Sequence, residues 1–380
     1  MNTSDFDYII VGAGFFGAVL AERIANDLNK NVLVIEKRKH IGGNCYSLDN
    51  PETGIHYHKY GTHIFHTSNR IVWNYINQFT EFNGYHHQVL TTYKDKVFQM
   101  PVNLETINSF YDLNLKPFEV EDFIATEVSK SGINDPTNFE EKAISFIGRP
   151  LYEAFIKGYS KKQWGVDPKQ LPLEILHRLP FRNNYNENFY FDPWQGIPLN
   201  GYTAIFEQML SSDRITLLLD TDFIPLWKEI GASSKIIFSG PIDRLFDYKH
   251  GKLEWRSLSF EARVEDVPDY QGTSVMNFAE ESIPYTRIHE PCHLHPERVN
   301  TSQKTFIIEE YSHSDDGSNP YYPIRNKTNL DILVKYQNEI SKHDNLTVGG
   351  RLGDYRYYDM DKTIASALES YSALRNAQTQ

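Results

Sequence analysis

DYIIVGAGFFGAVLAERI, Asp7 to Ile24, is the stretch that decides the fold. Asp7 to Val11 is an apolar run of strand length. It feeds directly into a glycine cluster, and an apolar run with helical spacing follows. Gly12, Gly14 and Gly17 fit the pattern G-x-G-x-x-G, which in this context announces a dinucleotide. Gly12 permits the tight turn, Gly14 lets the backbone approach a pyrophosphate, and Gly17 lets the helix pack on the strand. The pattern predicts a helix from Phe15 to about Asn29 and a second strand from Asn31 to Ile35, a βαβ unit. Glu36 ends that second strand, 22 residues after Gly14. A carboxylate there takes ribose hydroxyls and argues against a 2′-phosphate, hence against NADP.

The following text, EKRKHIGGNCYS, carries a second glycine pair, Gly42 and Gly43. Near the far end of the chain come Gly349, Gly350 and Arg351. Contacts from such distant segments suit the extended FAD molecule better than NAD. Arg351 could pair with the pyrophosphate, its plainer alternative being a surface ion pair. A helix starting near Asp359 could aim its N-terminus at the flavin's carbonyl edge.

Composition sets the bounds. The chain's 380 residues exceed one ordinary core and predict two or more domains. A net charge of −12 disfavours nucleic acid or an anionic membrane as partner. Two cysteines, Cys45 and Cys292, give neither a disulfide framework nor a C-x-x-C pair, so a reducing, cytoplasmic setting is expected. The acidic MNTSDFD start has no basic n-region, and no apolar run has the length of a membrane span. Aromatic residues reach 14%, which suits either sugar and base stacking or an aromatic-rich core.

There is no fixed-period repeat. Helical spacing takes over from about Val102 to Arg178, as in VEDFIATEV and FEEKAISFIGRPLYEAFIKGY, and strand-like text resumes from about 181 with KIIFSG, EWRSLSFEARV, SVMNF and TFIIEEY. The expected fold is α/β. A Rossmann-like FAD domain is assembled from 1–87, 203–245 and 345–380. A helical substrate or lid domain occupies 103–180, and an antiparallel sheet domain is built from 88–102, 181–202 and 246–344.

KYGTHIFHT, GYSKKQWG, YQGTSVMNF, PYTR, NPYYP and GGRLGDYRYYDM fall in order along the chain. With the glycine turn and EKRKHIGGN, they make the sequence resemble the UDP-galactopyranose mutase family from about residue 6 to 375. The resemblance implies a cytoplasmic, homodimeric flavoprotein isomerase. Reduced flavin N5 attacks the anomeric carbon of UDP-galactopyranose, and UDP-galactofuranose forms with no net redox change, supplying cell-surface polysaccharide. It carries the cofactor contacts onto Gly12, Gly14, Phe16, Gly17, Glu36, Lys37, Gly43, Asn44, His63, Ile64, Arg351, Asp359 and Met360. Arg178 and Arg287 match the pair that grips the departing diphosphate, with Arg182 as a possible misassignment for Arg178. An arginine fork holds two oxygens at once, as a lysine does not. A neutral His63 is expected near N5 or the sugar.

The resemblance further implies substrate contacts at His87, Phe155, Tyr159, Ser160, Trp164, Phe189, Asn277, Tyr322 and Tyr357. Tyr322 and Tyr357 would donate to phosphate oxygens, while Tyr321 would point to the other face. Spacing of four puts Phe155 and Tyr159 on one helix face, to stack on the uracil or simply to pack a helix. Trp164 would lie on a mobile loop, and the polar segment Gly165 to Leu173 suits a lid. No metal is expected, although His56, His58, His63 and His66 fall close together, and a Cys292 thiol–imidazole nucleophile is disfavoured.

Several positions depart from the commoner family pattern. Phe189 stands for a Tyr, with Tyr190 beside it. His87 stands for an Asn, Ser160 for a Thr, and Thr62 for a small apolar residue. RIHEPCHLH replaces a segment that usually carries E-H-K-H. These changes leave UDP-N-acetylgalactosamine or dTDP-fucose open as the substrate. A flavin amine oxidase or dehydrogenase is the more distant alternative, and a diphosphate subsite would be of no use to it.

Overall fold

A computed structural model describes residues 5–173, 181–227, 234–298 and 302–378. The first strand, β1 (Tyr8–Val11), is buried at every position, as is its neighbour β2 (Val32–Ile35). Strands with both faces covered read as continuous apolar runs, and these pair in parallel. Helix α1 (Phe15–Asp27) crosses between them. Gly17 cannot be larger, because a Cβ there would collide with the Gly12 carbonyl. Three later segments complete one parallel sheet in the order 346–348, 235–238, β1, β2, 215–218. The C-terminal helix, Met360–Gln378, packs on α1 and buries Ile364, Ala367 and Tyr371 with it.

The second sheet has seven strands, in the order 322–323, 255–265, 305–314, 287–289, 275–278, 89–93, 96–100. It is not wholly antiparallel. Val275–Phe278 runs parallel to Val89–Tyr93, while its other pairs are antiparallel. Such a pair needs a long crossover, and the chain between the two strands runs through the helices of residues 104–164 and then through two strands of the parallel sheet, 215–218 and 235–238. The starts of these helices are written in the sequence. Asn103 and Asn138 cap with their side chains, and Pro117 takes the first turn of its helix.

Two helices fall where strand was expected. Gly201–Met209 buries Tyr202, Ile205 and Phe206 beside α1. Lys327–Ile340 buries Leu333 and Tyr336 near the edge of the parallel sheet. Residues 181–193 form no regular element. No helix among the described residues is long and apolar enough to cross a membrane.

Candidate active site

The start of α1 has no side-chain cap and no acidic residue in its first turn. Its free N–H groups and positive dipole end therefore face whatever fills the adjoining groove. Gly12, Gly14, Phe16, Glu36, Lys37, Gly43, Asn44, His63, Arg351 and Met360 line that groove. A Cβ on Gly14 would meet only the Gly43 backbone, 3.9 Å away. Packing within the protein therefore does not require glycine there, and the open space above it suits the close approach of a pyrophosphate. The Glu36 carboxylate accepts from Ala13 N at 2.8 Å and Arg38 N at 2.9 Å. Each oxygen keeps a lone pair for a further donor.

The other expected cofactor positions sit apart from the groove wall. Gly17 serves helix packing. Ile64 turns into a small core with Tyr85, Ile197 and Leu294. The Asp359 carbonyl starts the last helix by accepting from Thr363 N at 3.0 Å. Thr221, Ser239 and Asn319 also line the groove and went unnoticed in the sequence. Ser239 ends the KIIFSG strand, where a βα turn of this sheet belongs, and that was its one signal.

His63 closes one end. Its Nδ1 contacts the Gly61 carbonyl at 2.7 Å, so that nitrogen carries the proton and Nε2 is an acceptor. Burial pulls the ring down to about 4, which keeps it neutral. The remaining histidines go to separate partners. His56 contacts Asp49, His66 contacts Asp192, and His58 Nδ1 accepts from His63 N. Among the described residues, the ligand atoms of Glu290, Cys292 and His293 lie within 4.8 Å of one another. Glu290 is already satisfied there by Tyr270 N, Gln271 N and the Thr305 hydroxyl. The imidazole of His293 is pushed up to about 10 by Cys292 and Glu290. The ring is therefore held as a cation, with Glu290 and Asp269 beside it.

Arg351 joins the groove to a second cluster. Its guanidinium donates to the Tyr358 carbonyl and lies over the rings of Tyr321 and Tyr357, at 5.4 and 4.9 Å. Tyr357 stacks on Tyr322 at 5.5 Å, and the Trp164 ring lies 6.4 Å from Tyr322. The Tyr321 hydroxyl turns away and donates to the Tyr60 carbonyl at 2.9 Å.

Arg287 sits at the centre of this arrangement, and strand register explains its geometry. Asn277, Arg287 and Glu310 are direct partners across three neighbouring strands, so their side chains share one face. Arg287 donates to the Tyr159 hydroxyl through Nη2, and its Nε lies 3.2 Å from Glu310 Oε1. The Nε angle is too poor for a full hydrogen bond, so charge holds that contact. Burial alone would lower the arginine's pKa, but Glu310 and Tyr159 outweigh it and raise it. Glu310 is also buried, yet Arg287 and His289 hold its carboxyl down to about 2.

Behind Glu310, His289 Nε2 lies at 3.1 Å and its Nδ1 lies 2.7 Å from the Thr62 hydroxyl. Burial keeps His289 low and neutral. Nε2 therefore donates to Glu310, and Nδ1 accepts from Thr62. Thr62 and His289 both depart from the family pattern, and here they are bonded to each other. Sequence reading did not find Glu310. Its signal was a pair of adjacent carboxylates inside an apolar strand.

Several expected contacts fall elsewhere. Phe155 and Tyr159 meet the same face of the seven-stranded sheet, because Phe98, Thr91, Asn277 and Arg287 are successive cross-strand partners, Phe155 packs on the first and Tyr159 contacts the last. Lys157 N bonds to the Tyr152 carbonyl, five residues back, so the turn leading into Tyr159 is wide. The Phe155 ring packs against Phe98 and Phe110 in the helical core. Trp164 is not in the loop but ends the Lys157–Trp164 helix, which Gly165 stops at φ +70°. Beyond it, Leu171 is buried and its carbonyl accepts from Phe139 N at 3.1 Å. Ser160 is buried on the same helix, and the Asn277 side-chain oxygen is buried without a partner.

The shell of departures packs on itself. Tyr190 stacks on His66 at 3.7 Å and faces His87, which contacts Phe189 edge-on. His87 is pulled down to about 3 by burial, with Arg287 adding to it. Arg178 lies outside the described residues. Arg182 is buried, donates to the Asn186 carbonyl at 2.7 Å and lies over the Phe191 ring. It does not join Arg287.

Comparisons with known proteins agree with this geometry. A family model described as UDP-galactopyranose mutase matches residues 154–357, and one described as an NAD(P)-binding Rossmann-like domain matches residues 10–79. The chain is 42% identical to the probable UDP-galactopyranose mutase of Klebsiella pneumoniae, covering 95% of this chain and 93% of that one. It is 41% identical to the dTDP-fucopyranose mutase of Escherichia coli, covering 95% and 96%. A solved reduced UDP-galactopyranose mutase superposes with a TM-score of 0.77 at 15% identity, covering 99% and 95%. Putrescine oxidase bound to putrescine gives 0.55 at 11%, covering 98% and 99%. The two structural likenesses speak to the fold alone, whereas the family match and the sequence relatives speak to kinship. The chain belongs to the UDP-galactopyranose mutase family, a family of isomerases.

Proposed function

We propose that this protein is an FAD-dependent mutase that contracts the pyranose ring of a nucleotide-linked sugar, with UDP-galactopyranose as substrate. The observation that carries the reading is the buried Arg287, aimed by Glu310 and Tyr159 next to the Arg351 end of a dinucleotide groove. A fixed cation beside such a groove suits a leaving group that is a diphosphate.

The groove residues fit FAD. The first turn of α1 and Gly14 would hold the pyrophosphate, Glu36 the ribose, and His63 and the start of the last helix the flavin end. Reduced flavin, when bound, supplies the nucleophile for the anomeric carbon. The protein supplies the rest. Arg287 takes up the charge that develops on the departing diphosphate. The Tyr322 and Tyr357 hydroxyls donate to its oxygens, and neutral His63 presents an acceptor without adding charge. Glu310 fixes the arginine fork so that it does not have to reorganise during the reaction.

The near-equal identity to a dTDP-fucopyranose mutase favours dTDP-fucose as a second reading. So does the altered shell of His87, Phe189 and Tyr190. Anaerobic chromatography decides between them. UDP-galactose, UDP-N-acetylgalactosamine and dTDP-fucose are each incubated with the protein, once with oxidised and once with dithionite-reduced FAD. A furanose peak from one of them, under reduction only, is expected. Consumption of an electron acceptor with no new sugar would move the assignment to an oxidase.

The cofactor assignment has its own test. Gly14→Ala meets no protein atom closer than 3.9 Å and should fold. Its methyl group occupies the pyrophosphate's approach, so FAD affinity is expected to fall by about tenfold or more, from roughly 1.4 kcal/mol per decade. Unchanged flavin titration would place the pyrophosphate elsewhere.

A further inference from the structure

Lys162 lies in the GYSKKQWG stretch, and the reading above gives it no role. Its ammonium is enclosed by main-chain oxygen. The carbonyls of Phe278 at 2.7 Å, and of Glu280, Ile283 and Tyr285 at 2.9 Å, all accept from Nζ. Three N–H donors thus serve four acceptors, as a small cation would in a ring of carbonyls. Burial pulls the ammonium down to about 8, with Glu280 and Glu281 acting to hold it up. It is therefore charged at neutral pH.

The caged segment, 278–285, links the strand of Asn277 to the strand of Arg287. A second contact lies one helical turn earlier. A Cβ on Gly158 would collide with the Ala279 carbonyl, and residues four apart share a helix face. Gly158 and Lys162 therefore seat one face of the Lys157–Trp164 helix directly on that segment. A third contact grips the helix end from the sheet. Buried Arg256 donates to the Gln163 carbonyl at 3.0 Å and the Lys162 carbonyl at 3.3 Å, and Ser312 donates to Gln163 at 2.6 Å. The last carbonyls of a helix are orphaned unless such donors reach them.

We propose that Lys162 is a positioning residue for the reaction: an internal cation that clamps the Tyr159–Trp164 wall to the loop leading into Arg287, and so sets the width of the diphosphate pocket. The proposal rests on the mutase reading. Tyr159 and Arg287 touch each other from opposite sides of this clamp. A helix that lifts off the loop therefore separates the groups that bind the diphosphate while leaving the flavin groove intact.

Lys162→Ala and Lys162→Met separate the clamp from mere packing. In Lys162→Ala, KM for the nucleotide sugar is expected to rise and kcat to fall, lowering kcat/KM about tenfold or more with flavin content unchanged, since small displacements of positioned groups carry costs of that order. Ammonium or potassium should enter the emptied cage and restore kcat/KM, whereas tetramethylammonium should not. Lys162→Met fills the cage mouth and should show the same loss without rescue. Amide exchange across Lys157–Trp164 reads the clamp without any substrate. It should quicken in Lys162→Ala and slow again with ammonium. A Lys162→Met enzyme with wild-type kcat/KM, or a Lys162→Ala protein with unchanged exchange, overturns the proposal. A loss in Lys162→Ala that no small cation reverses, with flavin content falling alongside it, overturns it as well. If the wild type turns over no nucleotide sugar, the mutase reading fails, and the exchange experiment alone then judges the clamp.

Discussion

Arg287→Met is expected to lose about a thousandfold in kcat, the scale on which one buried donor to a developing charge matters, while the protein keeps its flavin. The reasoning starts from register. Arg287 faces Glu310 across the strand ladder and reaches Tyr159 on the helix, and the groove-lining residues do not include it. Losing it should leave the cofactor in place. It also leaves Glu310 buried without its cation, a state that costs about 3–5 kcal/mol. Arg287→Met alone therefore confuses lost catalysis with lost stability. The double variant Arg287→Met/Glu310→Gln separates them. Replacing both partners removes the orphaned charge, so the melting temperature should recover most of the way while turnover does not. Arg287→Lys keeps the charge and loses the fork, and should fall between wild type and Arg287→Met. Full activity in the double variant would mean that Arg287 only balances Glu310. Loss of flavin from Arg287→Met would mean that the arginine belongs to the cofactor subsite.

The difference between Arg287 and Glu310 shows what a sequence can carry. β1, α1, β2 and Glu36 were readable because everything that defines them lies within one βαβ unit. The glycines answer to neighbours a few residues away, as Gly17 does to Gly12. Arg287 was readable only through a short motif shared with a family, since nothing in its own spacing marks an arginine as buried. Glu310 was not readable at all. Its meaning depends on standing opposite Arg287 in a ladder whose register is set by long-range pairing. An apolar strand with a buried carboxylate also contradicts the usual inside–outside pattern. The wide turn between residues 152 and 157 left no mark in the sequence, since residue spacing does not reveal one extra residue in a turn. Helix Lys327–Ile340 failed because its buried stripe is narrow, with only Asn329, Leu333, Tyr336 and Glu339 buried. The partnership of Thr62 with His289 spans 227 residues and could be seen only in the fold.

Glu310→Gln is expected to destabilise the protein by about 3–5 kcal/mol near neutral pH, because it leaves Arg287 as an uncompensated buried cation. The amide keeps the shape but only one acceptor oxygen, so it serves either Thr286 or His289 and loses one of these two hydrogen bonds together with the charge. The pH dependence fixes the assignment. The carboxyl of Glu310 is held down to about 2 in the folded protein, against an ordinary value of 4.5. A group depressed on folding contributes stability that is fully present above its unfolded pKa and is lost as pH falls towards its folded one. The gap between wild type and Glu310→Gln should therefore be constant from neutrality down to about pH 5 and then shrink towards pH 2. Denaturant midpoints across that range measure it. A gap that stays constant down to pH 3 would show that the carboxylate's charge does not hold Arg287. Turnover adds a second readout. An arginine without Glu310 keeps its cation but loses its fixed direction, so kcat should fall while the pH at which flavin binds stays the same. If kcat were untouched by Glu310→Gln, Tyr159 alone would be sufficient to aim the arginine.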